Sequence, residues 1–135
     1  MNSFDFAALD TVSRSCEGVY FPFMDLQAKE LPGGARMYGP DSPQYEIAHQ
    51  KARAQIAEAD AKGVDGENTE KLEKVVACCI ELVSCRIGDT DYSGGDKAKI
   101  REFFTRLPVM RDQMWARLVK RSNFLPVAAT AGSDT

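Results

Sequence analysis

Between Leu72 and Val83 the chain carries Leu72, Val75, Val76, Cys79, Ile80, Leu82 and Val83. Wound as a helix, this run is apolar over more than half its circumference, so neighbouring elements must enclose it on most sides. It reads as a helix from about 69 to 87, capped by Thr69 and central to the core. The rest of the chain then serves as its shell. A chain of 135 residues is long enough to supply that shell within one domain, without disulfides or metal.

Upstream, residues 3–16 are only loosely periodic, and a short helix and an entering strand both remain open. Gly18-Val-Tyr-Phe-Pro-Phe-Met24 is rich in strand formers, with Pro22 pointing to an edge. Ala35–Tyr38 is its expected partner, across a loop containing Leu31-Pro-Gly-Gly34. Gly39-Pro-Asp-Ser-Pro43 opens a helix, with Asp41 or Ser42 as cap and Pro43 in the first turn. Its stripe is Tyr45, Ala48, Ala52, Ile56 and Ala59, small enough for close approach to a neighbour. Residues 62–68 form a polar break and 88–95 a second loop. Asp96 caps a helix over about 96–106, and Pro108 starts a last helix to about Arg121.

The fold class expected is therefore mainly α with a small N-terminal β-hairpin (α+β), four to five helices packing around the central apolar helix. Residues 1–126 form a single globular domain and 127–135 a disordered tail.

Charge is unevenly placed. Residues 1–95 hold 9 Lys/Arg against 16 Asp/Glu, whereas 96–121 hold 8 against 3. Such asymmetry suits an acidic partner or a second copy of the chain. A sequence pI near 5.2 disfavours nucleic acid as the partner. No apolar run is long enough to span a membrane and the N-terminus lacks signal-peptide character, so the chain reads as soluble and cytoplasmic.

Catalytic and metal patterns fail one by one. Cys16, Cys78, Cys79 and Cys85 contain no Cys-x-x-Cys, and a Cys–His nucleophile would need His49 beside one of them. Lys62-Gly-x-x-Gly and Ser93-Gly-Gly lack the context of a phosphate loop. Asp89, Asp91 and Asp96 are out of register for a calcium loop. The reading is of a non-enzyme without a cofactor or metal; a small hydrolase or metal protein using Asp89, Asp91 or the cysteines is the alternative from another class.

The last helix holds the chain's only Trp. At 100° per residue from Met110, Arg111 falls at about 100°, between Leu118 at about 80° and Trp115 at about 140°. An arginine inside an apolar arc snorkels, pairs with a buried carboxylate, or anchors an interface.

The order of these motifs, a Glu17-Gly18 hairpin, Gly39-Pro-Asp-Ser-Pro43, a mid-chain apolar helix, a Gly/Asp loop, Leu107-Pro-x-x-Arg111-x-Gln113 and Arg121-Ser-Asn-Phe124-Leu, resembles the small tail assembly chaperones of long-tailed bacteriophages and prophages. It spans roughly residues 15–126. The chain departs from the family pattern where a tryptophan ends the middle helix (here Cys85-Arg86) and where an aromatic follows the proline (here Val109). The resemblance implies a protein of the bacterial host cytoplasm that binds the tape measure protein and assists tail tube assembly. It implies the major tail tube protein as a further partner, self-association, and a longer frameshifted form. The contact residues it suggests are Arg111, Gln113, Trp115, Arg121, Asn123 and Phe124. A minor tail or connector protein retained in the virion is the alternative.

Overall fold

A computed structural model describes residues 3, 5–62 and 66–126. The tail expected to be disordered and the middle of the 62–68 break lie outside these residues. The elements in chain order are α1 (Val12–Glu17), β1 (Val19–Met24), β2 (Glu30–Met37), α2 (Pro43–Lys62), α3 (Gly66–Cys78), β3 (Cys79–Val83), β4 (Arg86–Ile87), β5 (Thr90–Asp91), α4 (Lys97–Arg106) and α5 (Pro108–Leu118). Short 3₁₀ turns at Phe6–Leu9 and Arg121–Phe124 precede α1 and follow α5.

The expected fold class needs correction. Among the described residues, five α-helices accompany a three-stranded antiparallel sheet in the order β1-β2-β3 and a separate two-stranded ribbon, β4-β5. The fold is mixed α+β, and no helix runs from 69 to 87. The apolar run divides between Cys78 and Cys79, helix on one side and strand on the other, with no connecting loop. Helix formation also begins before Thr69, which lies inside α3 rather than at its cap.

Two neighbours cause the division. Strand β2 is the middle strand, and Gly34 to Met37 align antiparallel with Val83 to Cys79, with a bulge between Arg36 and Met37. Lys97, the first residue of α4, donates through Nζ to Val76 O (3.0 Å), to Ala77 O (3.2 Å) and, in a shorter contact, to Cys79 O. Tyr38 N donates to the remaining carbonyl of the junction, Cys78 O (2.7 Å). The last carbonyls of a helix need partners from outside it, and here residues 76 to 79 all have one.

The hairpin is present, but its turn is Asp25–Lys29 rather than Leu31–Gly34. Asp25 Oδ1 accepts from Gln27 N (2.8 Å) and Lys29 N (2.9 Å), and Asp25 N donates to Lys29 O (2.8 Å). The Pro-Gly-Gly run lies within β2. Gly34 is required by close approach: a Cβ there would stand 2.5 Å from Phe21 O and from Tyr20 Oη.

Both outer strands are partly covered. Gln113 on α5 binds Met24 on β1 through both amide atoms, Nε2 donating to Met24 O (2.8 Å) and Oε1 accepting from Met24 N (2.9 Å). Beyond β3, Leu82 and Gly94 exchange backbone hydrogen bonds of 2.9 and 2.8 Å. Such covering blunts edge-to-edge pairing. The core between sheet and helices is aromatic: Phe23 packs on Phe103 and Phe104, Tyr92 on Phe103, and Phe21 edge-on against Phe124.

Other expectations map directly. Ser42 caps α2, its hydroxyl accepting from Tyr45 N (3.2 Å) while donating to Gly39 O (2.7 Å), and Asp96 caps α4 by accepting from Ala98 N (3.0 Å). Ala48 and Ala52 are buried as the stripe of α2 requires; the side chains of Ile56 and Ala59 lie outside the described set.

Lys97→Met keeps the apolar stem and removes the donors at the helix–strand junction. The expected loss is about 2 kcal/mol, read in a thermal melt as a Tm lower by roughly 5–10 °C. An unchanged Tm would show that the junction does not depend on the ammonium.

Candidate functional site

Three helices leave a groove of about 380 Å³ between them. Each contributes residues at the three- and four-residue spacing that aligns side chains on one helix face: Gln44, Ile47, Ala48 and Lys51 from α2, Glu73, Val76 and Ala77 from α3, and Lys97 and Arg101 from α4. The apolar floor is Ile47, Ala48, Val76 and Ala77. Ile47 is 69% exposed, beside Ala48, which is buried.

The rim is cationic, with Lys51, Lys97 and Arg101 facing one carboxylate, Glu73. Arg101 grips Glu73 in two parallel hydrogen bonds, Nη1 to Oε1 at 2.6 Å and Nη2 to Oε2 at 3.1 Å, the strong planar geometry of this pair. The arginine holds the Glu73 carboxyl below its ordinary value of 4.5, with Lys51 adding to the effect. Lys97 is different, because its partners are carbonyls and neutralise no charge. Burial lowers its pKa, as expected for a partly desolvated ammonium. Gln44 Oε1 is shielded from solvent and accepts no hydrogen bond from the described residues. The groove therefore offers an apolar floor and surplus positive charge, and among the described residues that line it there is no Ser, Thr, Cys or His.

A second polar cluster lies where α2, α3 and α5 meet. Lys74 is 2% exposed, with Nζ 2.6 Å from Glu70 Oε1 and 3.5 Å from Tyr45 Oη. The ammonium sits 5.1 Å from the centre of the Tyr45 ring and 5.4 Å from that of Trp115. Buried charge survives when it is paired and faces aromatic rings, so Lys74 bolts three helices together.

The six residues suggested for partner contact all have places within this chain. Arg111 bonds to Asp112 Oδ1 (Nε at 3.1 Å, Nη2 at 3.0 Å) and to Asn68 Oδ1 on α3 (3.3 Å). Gln113 holds the edge of β1. Trp115 is half-buried beside Lys74. Arg121 Nε lies 3.1 Å from both carboxylate oxygens of Asp41, which also accepts from Thr11 Oγ1. Asn123 Nδ2 donates to Arg117 O at the end of α5 (3.0 Å). Phe124 is fully buried against Gly39, where a Cβ would meet its ring at 2.7 Å. Together they tie the C-terminal segment to β1, α3 and the start of α2.

His49 stacks on Tyr45, centroids 6.3 Å apart. Cys78 and Cys79 are buried, and burial pushes both thiols up to about 12; the Cys85 thiol, raised likewise, donates to Val83 O (3.2 Å). Asp91 accepts from Ser93 N (2.9 Å), which lowers its pKa. Among the described residues, no three His, Cys, Asp or Glu side chains converge as a metal site, and no helix is long and apolar enough to cross a membrane.

Sequence reasoning missed the groove and Lys74. The Glu70/Lys74 spacing was a signal for the buried pair. Nothing local in the sequence joins Lys97 to residues 76–79 or Arg101 to Glu73.

No protein-family model, curated protein or solved structure matches the chain.

The Glu73–Arg101 pair makes stability depend on pH. Glu73 has a depressed folded-state value, so its contribution is full above about 4.5 and is lost as pH falls through that lower value. Glu73→Gln should cost about 1 kcal/mol at pH 7, and the gap from wild type should shrink as melts are repeated from pH 6 down to about pH 3. A constant gap would show that the carboxylate plays no part.

Proposed function

We propose that this protein is a non-enzymatic assembly chaperone of a long-tailed phage, acting in the bacterial host cytoplasm. It receives an amphipathic, acidic helical segment of the tape measure protein in the α2–α3–α4 groove. The observation that carries the reading is the groove itself, three helix faces converging on an apolar floor under a cationic rim. Grooves of this kind take the apolar face of a partner helix, and exposed apolar surface rimmed by polar groups marks protein contact sites. The motif order that resembles tail assembly chaperones supplies the identity of the partner. Shielding such a segment until the tube closes around it is a task of binding and release, and it asks for no reacting group.

The test is titration of the purified chain with helical segments of the tape measure protein encoded beside it. Ile47→Glu puts a carboxylate on the floor and Lys51→Glu reverses the rim; each should weaken binding at least about tenfold while far-UV circular dichroism stays unchanged. Arg111→Ala, away from the groove, should bind as wild type. Equal binding by wild type and both groove variants would reject the groove as the site. Mass spectrometry of purified particles should find the protein missing; a stoichiometric amount would make it a retained tail component instead.

A further inference from the structure

Among the described residues lining the groove, Arg101 is the one planar cation and Glu73 the one carboxylate, and each holds the other. A guanidinium fork is the side chain best shaped to take a carboxylate in two parallel bonds. The other two cations do not offer that grip. Lys97 has three donors, and Val76, Ala77 and Cys79 accept from its ammonium. Lys51 is a point charge on a flexible stem. The rim therefore has one fork for a carboxylate, and a carboxylate of the chain itself fills it. Glu73 lies one helical turn before Val76 and Ala77, on the face of α3 that forms the floor. An acid followed at the third and fourth positions by apolar side chains is the pattern of an acidic amphipathic helix, the ligand proposed for this groove.

We infer that Glu73 is a built-in competitor: it occupies Arg101 in the free protein, and an acidic helix binds by taking that arginine from it. The inference rests on the reading of the groove as the site of such a helix. The pair is placed for exchange. The Arg101 side chain is 43% exposed and that of Glu73 only 12%, so the guanidinium shows an open edge to an incoming carboxylate while Glu73 is still bound. A guanidinium has five N–H donors, and Glu73 engages one on each Nη. A second carboxylate can therefore join before the first leaves. Once displaced, Glu73 has another cation to turn to, because Lys51 stands near enough to lower its pKa already. The walls keep their spacing when the pair opens, since Lys97 remains bonded to the end of α3. The competitor also sets what enters. A neutral or basic helix has no carboxylate to exchange and leaves the pair closed, which is selection against the wrong partner.

The experiment is a double-mutant cycle on the full chain. It reads the Kd for the acidic tape measure segment that wild type binds most tightly, and for the same peptide with Gln and Asn in place of its Glu and Asp. Titrations run at about 0.3 M salt, where long-range charge effects are largely screened. Glu73→Gln keeps the side-chain shape and removes the competing charge. It should bind the acidic peptide at least about threefold more tightly than wild type, even though its Tm is lower, and should gain nothing toward the neutral peptide. A residue that only braced the groove walls would move both readouts downward. In an Arg101→Gln background, the gain from adding Glu73→Gln should fall to less than about half of its wild-type size. Equal or weaker binding by Glu73→Gln, the same gain toward the neutral peptide, or an undiminished gain without Arg101 overturns the inference and leaves the groove reading standing. If wild type binds no acidic segment, the groove reading fails and the competitor with it.

Discussion

The structure depends on one ammonium group placed against the end of one helix. Lys97 collects the carbonyls of Val76, Ala77 and Cys79, so α3 can stop and β3 begin without an intervening loop. Free carbonyls at a helix end are costly when shielded from water. A lysine with three donors is among the few side chains that can satisfy several at once. The same contact seats the start of α4 beside the end of α3. With Arg101 one turn further along and gripping Glu73, it sets the spacing of two walls of the groove.

Much of the outline was legible in the sequence. Ser42-Pro43 and Asp96 mark helix starts by local chemistry, which neighbours do not override. The strand Val19–Met24 shows in its composition, and Pro22 in its edge position. The misreadings share a physical origin. Residues 79–83 are apolar enough for a buried helix face or a buried strand, and periodicity cannot choose between them; the choice is made by β2, more than forty residues upstream, and by Lys97. Glycines 33 and 34 resemble a turn, but Gly34 answers to the closeness of Tyr20 and Phe21. Arg111 shows how far projection reaches: the sequence could place it in an apolar arc, and only the fold supplies Asp112 and Asn68 as its partners.

The candidate site was less legible than the fold. The chain's basic C-terminal third suggested a partner surface there, yet Arg111, Gln113, Arg121, Asn123 and Phe124 all have partners within the chain. Three cations and one carboxylate also line the groove whose floor is Ile47, Ala48, Val76 and Ala77. Two of the three cations come from the segment whose positive excess the sequence displays, and the third, Lys51, comes from the acidic part. An apolar floor under a cationic rim is the surface on which the proposed chaperone reading places its helical client.

The central claim is that the apolar run divides at Cys78 and Cys79, because the groove exists only if α3 ends there and α4 packs against its end. Backbone carbon chemical shifts across residues 70–87 test this most directly. The account predicts helical values through Cys78, extended values from Cys79 to Val83, and a carbonyl-carbon change at Val76, Ala77 and Cys79 when Lys97 is replaced by methionine. Helical values continuing unbroken to Ile87 would contradict it, and the groove would go with the junction.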